Sequence, residues 1–485
     1  MADEAAQSKL ALSPKTREHF GLHYLGISLI LAWYYCLWFT PSIFVSASIT
    51  DDNVTFAWLA TLSFTGIAFL ATPFALKKIR LYEHPIVAPA AAGAMGAATL
   101  VFSATPFALS VPWLAFLAFP IIFGIGNALL WVAWGEFHAR RKSAFSLHKF
   151  VFVFGAVMLT SISICTLLPH LATDVLVALL PLASGLIYRI ENKELGKAEP
   201  PTLLPKATRA KTSKATAFIS ITVFIACMAC YYNIAIIPID DLFAEGLSYV
   251  AGIMGAAAVC LIIAGVQKAS KKKQITSYRV LPWFIVACSV SLALFANGDH
   301  ALYNLSFIIS VTLAGVFEVF LIAYFGALSV KGHLSPVLAF AISSGVVRLG
   351  FFAGDSLAVA YEHSPFLADH LTQATSLCFL CLMAAMLILL LRQESAILRL
   401  TQAPAATSEI EEVCDAAIQE FSLSKREGEI LKYIARGYTI DNISKKLVIS
   451  PYTTQTHVRH IYSKMHVHKR SELLDYINMH RSESA

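Results

Sequence analysis

Long apolar runs separated by short polar connections fill the chain as far as Leu391, and from Arg392 onward the pattern changes to that of a water-soluble protein. Twelve runs can be traced, at about 22–47, 54–76, 85–104, 109–134, 148–168, 171–189, 215–238, 246–267, 280–297, 301–328, 335–360 and 369–391. About 20 apolar residues suffice to cross a bilayer as a helix. Backbone in hydrocarbon has no water to bond to, so each run is predicted to be helical. Residues 1–21 are polar and precede a first run too long for a cleaved leader, which is predicted to be retained as a span. Residues 392–421, rich in Ala, Thr and Glu and containing Pro404, are expected to form a linker.

Past that linker the periodicity shortens to that of small amphipathic helices. Ser424 and Glu427 have the spacing of a capping box, and Ile430, Leu431 and Ile434 share a face of the helix that follows. Gly437 is expected to close that helix in the left-handed conformation. Thr439 can cap a second helix carrying Ile440, Ile443 and Leu447. A short turn at Val448-Ile449 leads to Ser450 as N-cap, with Pro451 at the first helical position. The third helix is predicted to run to about Met465, and a fourth carries Leu473, Leu474 and Ile477. The fold class is therefore all-α: a twelve-helix membrane bundle over 22–391 and a four-helix domain over 422–485.

Composition sharpens the first part of this picture. Of 485 residues, 57% are hydrophobic and 14% charged, and mean hydropathy is +0.65. Soluble chains carry roughly 45–50% apolar and about 25% charged residues, so a soluble enzyme, a secreted disulfide scaffold and a disordered chain are excluded. Charge orients the bundle. With the N-terminus in the cytoplasm, the inner connections hold Lys77, Lys78, Arg80, Arg140, Arg141, Lys142 and Lys149, then the basic stretch from Arg189 to Lys214, then Lys268, Lys271, Lys272, Lys273, Arg279 and Lys331. The outer connections hold no Lys or Arg, but do hold Asp51, Asp52, Asp240, Asp241, Glu245, Glu362 and Asp369. That split predicts an even number of spans and both termini in the cytoplasm. Cys227–Cys230 and Cys378–Cys381 have CxxC spacing but lie inside apolar runs, so all four read as small buried hydrophobes and no metal is expected.

The longest inner connection, about Ile190–Lys214, follows the sixth span and is basic and Pro-containing. This 6+6 layout resembles the major facilitator superfamily. The Gly-rich Asp/Arg motif which that family carries between spans two and three is absent from Lys77-Lys78-Ile79-Arg80-Leu81-Tyr82-Glu83-His84. In the tail, Leu423-Ser424-x-Arg426-Glu427-x-Glu429-Ile430-Leu431, with Gly437, Ile443, Leu447, Ile449-Ser450, Thr453, His457, Ile461-Tyr462-x-Lys464, Val467, Arg470 and Leu473, resembles the LuxR-type helix-turn-helix at fixed spacing.

The LuxR resemblance implies promoter DNA as a partner, and binding as a homodimer through the fourth helix. Gln455, Thr456 and Arg459 match the base-reading positions: Arg suits guanine, Gln adenine, and a Thr methyl thymine. Lys445, Lys446, Tyr452, Thr453 and Lys464 are candidate backbone contacts. Residues 422–485 hold eleven Lys/Arg against six Asp/Glu, a basic excess that fits DNA. In the membrane part, ionisable residues at depth are candidate sites. Glu318 and Arg348 lie near the middle of spans ten and eleven, and Asp355 follows Arg348 by two helical turns. Trp33, Trp131, Tyr232 and Asn233 join them, because spans one, four and seven line the central cavity in the resembled fold. No phosphate loop, H-E-x-x-H motif, phospho-acceptor domain or catalytic constellation is present. Neither an enzyme nor a cofactor is expected. The expected function is a membrane-embedded regulator whose spans sense a small molecule. The alternative is a transporter with a regulatory DNA-binding tail.

Overall fold

The computed structural model describes residues 22–40, 51–104, 111–141, 147–196, 198–204, 206–237, 247–269, 277–401, 405–435 and 438–483. Among them there is no strand, and the chain divides into two compact units at Thr401/Gln402. The first unit is built from α1 (Leu22–Phe39), α2 (Asp51–Ala75), α3 (Val87–Ala104), α4 (Phe119–Arg141), α5 (Leu147–Leu167) and α6 (His170–Leu195). A second set follows: α7 (Lys206–Ile236), α8 (Leu247–Ala269), α9 (Ser277–Ala296), α10 (His300–Val330), α11 (Pro336–Glu362) and α12 (Pro365–Thr401). Among the described residues, eleven helices are long and apolar enough to cross a membrane, and a shorter apolar helix spans Val87–Ser103 within α3. The expected first run to residue 47 is interrupted at Phe39, because Pro41 disfavours helical backbone at the residue before it.

The two sets of helices meet along α2 with α11 and α5 with α8. Lipid supplies no hydrophobic drive between helices, so close backbone approach through small residues matters. Gly350 and Gly354 form a GxxxG face of α11 against α7, where a methyl group at Gly354 would collide with the Met228 carbonyl. A polar knot adds to this. Asn233 Nδ2 lies within hydrogen-bond distance of the hydroxyls of Ser291 (3.1 Å), Ser306 (2.8 Å) and Ser310 (2.9 Å), tying α7 to α9 and α10.

At the end of the bundle that carries the basic connections, polar contacts fix the loop between α2 and α3. The Tyr82 amide donates to Glu136 Oε2 on α4 (3.1 Å), and the Arg140 guanidinium lies over the Tyr82 ring (4.1 Å). Arg140 also donates to Asn192 Oδ1 (2.6 Å) and to the carbonyl of Ala198 (2.7 Å). The loop between α2 and α3 is thus fastened to α4 and to the end of α6.

The second unit holds α13 (Ala405–Glu420), α14 (Lys425–Ala435), α15 (Ile440–Leu447), α16 (Pro451–Lys464) and α17 (Arg470–Glu483). Residues 392–421, read from composition as a linker, are helical over most of their length: α12 continues to Thr401 and α13 occupies 405–420. Moreover, α13 belongs to the core of this unit. Val413, Cys414 and Ala417 are buried with Ile430, Leu431, Ile434, Ile443, Ile461 and Leu473. Gly428 lets α13 approach α14, since a Cβ there would lie 2.7 Å from Ile418 Cδ1. The composition masked this because the apolar positions of α13 are few and interspersed with acids, and they become a core face only once α14 and α17 pack on them.

Candidate functional site

The geometry of the tail is set by its caps. Ser424 and Glu427 form the reciprocal box: Glu427 Oε2 accepts from the Ser424 amide (2.7 Å) and Ser424 Oγ from the Glu427 amide (3.3 Å). Thr439 caps α15 by accepting from the Asn442 amide, and Ser450 caps α16 by accepting from the Thr453 amide at 3.0 Å. Gly437 lies outside the described residues. Between α15 and α16 the turn is made by Val448 at φ 53°, a left-handed conformation that costs a β-branched residue roughly 1–2 kcal/mol. A buried hydroxyl pair, Ser444 Oγ and Thr454 Oγ1 at 2.8 Å, holds α16 at a fixed angle to α15.

With α16 so placed, its two faces separate. Thr454, Val458, Ile461 and Met465 are buried. Tyr452, Gln455 and Arg459 are exposed and Thr456 is half-buried, all along one stripe at helical spacing. Gln455 and Arg459 therefore present solvent-exposed polar ends, while Thr456 Oγ1 donates to the Tyr452 carbonyl of its own helix (3.0 Å). Thr453 shares a hydrogen bond with the capping Ser450 (2.8 Å). Lys446 stands exposed with its ammonium 5.1 Å above the Tyr438 ring. The side chain of Lys445 lies outside the described residues.

Lys464 differs from the other basic candidates. Its Nζ is 2.8 Å from Glu427 Oε2, and Glu427 is buried. Burial alone would push the Glu427 carboxyl up; the Lys464 ammonium and the Ser424 amide outweigh it and hold the group at about 2. A depressed carboxylate stabilises the fold fully above its unfolded value, near 4.5, and loses that contribution as pH falls through about 2. Glu427→Gln is therefore expected to lower the stability of the 402–485 unit at pH 7 by up to about 3 kcal/mol. The gap to the parent should close progressively below pH ~4. Thermal melts at a series of pH values check this; an equal gap at pH 7 and pH 2 would refute it. His457 and His460 also bring ring nitrogens within 4.8 Å of a Glu427 oxygen, a grouping that could accept a metal ion, although Lys464 already supplies the countercharge.

In the membrane unit the charged candidates split. Arg348 and Glu318 form a two-pronged ion pair, Nη1 to Oε2 at 3.0 Å and Nη2 to Oε1 at 2.7 Å, both residues being buried. The Tyr35 hydroxyl donates to Glu318 Oε2 (3.0 Å), and the guanidinium lies 3.6 Å over the Tyr34 ring. Trp33 Nε1 donates to Thr99 (2.9 Å), Trp131 is buried among apolar neighbours, Tyr232 OH reaches the Thr372 carbonyl (3.3 Å), and Asn233 holds the serine knot. Most of these groups are committed to internal partners; Trp131 is packed in the core, its buried Nε1 without a hydrogen-bond partner among the described residues.

Asp355 stands apart from them, on the wall of a cavity of about 560 Å³. The cavity lies between the ends of α1, α7 and α11 and the starts of α2 and α8, opposite the basic connections. Its walls are Trp38, Phe39, Trp58, Tyr231 and Tyr249, with Glu362 as a second carboxylate. Of the intramembrane candidates named from the sequence, Asp355 is the one among these lining residues. The aromatic walls were missed by fine margins of phase. Tyr231 precedes Tyr232 by one residue, or 100° of helix, enough to exchange the cavity for packing against Tyr361 and Phe379.

Comparison with known proteins fits both geometries. Residues 421–477 match the family described as bacterial regulatory proteins, luxR family. The oxygen regulatory protein NreC of Staphylococcus epidermidis is 39% identical over 69 residues, which are 14% of this chain and 32% of NreC. NreC of Staphylococcus haemolyticus is 44% identical over 54 residues, 11% of this chain and 25% of that protein. The chain thus spans about a third or less of the length of these relatives. Among solved structures, the human organic anion transporter MFSD10 superposes with a TM-score of 0.53 at 14% identity, over 78% of this chain and 100% of that one. A bacterial homologue of the iron transporter ferroportin, outward-facing, gives 0.55 at 14% identity over 76% and 98%. The tail is a LuxR-type helix-turn-helix domain, and the membrane unit has the major facilitator fold.

Proposed function

We infer that this protein is a membrane-embedded bacterial transcription regulator: the multi-pass unit senses a small molecule, and the tail binds promoter DNA with Gln455, Thr456 and Arg459 reading bases. The observation that carries this is the joining of a LuxR-type domain, with a solvent-exposed polar stripe on α16, to a major facilitator fold in one chain. The concentration of Lys and Arg at one end of the bundle supports an inner-membrane protein with both termini in the cytoplasm, where the DNA lies. Lys446, Tyr452 and Thr453 are read as backbone contacts. Lys464 is read as a strut for Glu427 instead, given its 2.8 Å pairing. A homodimer through α17 follows by likeness to the family.

Sensing requires that the ligand bind two conformations of the membrane unit unequally, since equal affinity shifts nothing. Chromatin immunoprecipitation of the full-length, membrane-inserted chain tests the reading. Discrete promoter enrichment, together with altered transcription of the bound gene when the chain is deleted, is expected. A full-length chain that occupies no promoter would defeat the proposal. Solute accumulation in proteoliposomes would favour the second reading, a transporter with a regulatory tail, which the fold and its cavity support.

A further inference from the structure

We propose that the cavity at the acidic end of the membrane unit is a binding site for an organic cation, a quaternary ammonium or protonated amine, and that Asp355 is its counter-charge. This rests on reading the membrane unit as the sensor, and it names the class of molecule sensed.

Four observations converge. First, the charged residues on the cavity wall are both acids, Asp355 and Glu362, seven positions apart on α11 and so about 10 Å apart along one helix face. The one Arg deep in the same helix, Arg348, is turned to Glu318 and the Tyr34 ring. Second, Asp355 is 7% exposed yet borders the cavity beside Trp58. A nearly buried carboxylate beside open volume is costly unless something answers its charge.

Third, five of the lining residues are aromatic and pack on one another, beside aliphatic residues such as Val54, Ile234, Ile237 and Val359. Trp58 stacks on Tyr231 (5.9 Å between centroids, 19°), Trp38 and Phe39 meet Trp58 at 5.2 and 5.3 Å, and Phe39 stacks on Tyr249 at 5.3 Å. Where a ring face borders the open volume, its negative charge density attracts a weakly hydrated cation. Fourth, the connections at this end contain acids and no Lys or Arg, a field that concentrates cations at the mouth.

Size and donor type exclude the neighbouring ligand classes. About 560 Å³ suits a drug-sized molecule. A bare divalent ion wants six or more oxygens at close range, whereas two acids two turns apart with indoles and phenols offer too few. An anion would meet two carboxylates and no compensating base on the wall.

The test uses the full chain in nanodiscs, with choline and tetraethylammonium as probes and 3,3-dimethylbutan-1-ol as the neutral isostere of choline. Fluorescence of Trp38 and Trp58 and calorimetry report binding. Saturable binding of at least one cation is expected, with the isostere at least about tenfold weaker, since a charge contact of this kind is worth about one factor of ten. Asp355→Asn should weaken the cation at least about tenfold. Glu362→Gln, at an exposed position that leaves packing intact, should weaken it a few-fold. Trp58→Leu gives an independent check if Asp355→Asn reduces folded yield, and it should weaken the cation while sparing the isostere. Equal affinity for the isostere, cation affinity unchanged in Asp355→Asn/Glu362→Gln, or no saturable binding of either cation across the millimolar range would each overturn the assignment. A bound cation that leaves promoter transcription unchanged would instead count against the sensor reading and leave the cavity assignment standing.

Discussion

Replacing Arg348 by alanine is expected to cut the amount of folded protein in the membrane several-fold, while Glu318→Met/Arg348→Met restores it. The single change leaves the Glu318 carboxylate at 1% exposure with the Tyr35 hydroxyl as its remaining partner. Removing one member of a buried ion pair costs roughly 3–5 kcal/mol, whereas replacing both by apolar groups of similar size is close to neutral. The pair joins α10 to α11, and Tyr34 and Tyr35 bring in α1, so three helices lose a shared anchor together. Membrane abundance and thermal stability in detergent measure the effect. Because the cavity proposed to bind ligand lies two turns away at Asp355, the double variant should also keep any response to ligand. A double variant that is abundant but unresponsive would show that this pair takes part in sensing.

Arg459→Ala is expected to weaken binding of the tail to its operator by roughly 1–3 kcal/mol, about tenfold to more than a hundredfold, and to relax preference at one base pair. The exposed guanidinium of Arg459 shares a stripe with Gln455 on a helix whose angle is fixed by the Ser444–Thr454 hydroxyl pair. Lys446→Ala, by contrast, should weaken all sequences alike and flatten the salt dependence, as removal of a phosphate contact does. Titration of specific and random duplexes at several salt concentrations with residues 402–485, a compact unit with its own core, separates the two. If Arg459→Ala weakened random and operator DNA equally, the base-reading role would be lost.

Much of the tail was legible because its signals are local. A capping box, a Thr cap and a Ser-Pro start each act within four residues, and the structure realises all three. The same holds for the membrane helices: length and apolarity alone dictate a helix where the backbone has no water to bond to. Glu318 and Arg348 could be marked as partners from depth and adjacency of spans, because charge at that depth demands a counter-charge.

What required tertiary structure was everything that depends on rotation about a helix axis or on a distant neighbour. A one-residue offset places Tyr231 on the cavity and Tyr232 in packing, and an apolar run without polar breaks carries no phase from which to tell them apart. The acidic segment 405–420 shows its buried face only when α14 and α17 cover it. The loop at Tyr82 is fastened by Glu136 and Arg140, more than 50 residues away in sequence, and no spacing rule links them. Local chemistry thus determined that there are long apolar helices and a helix-turn-helix. Packing alone decided which side chains are locked into the bundle and which are left facing open volume.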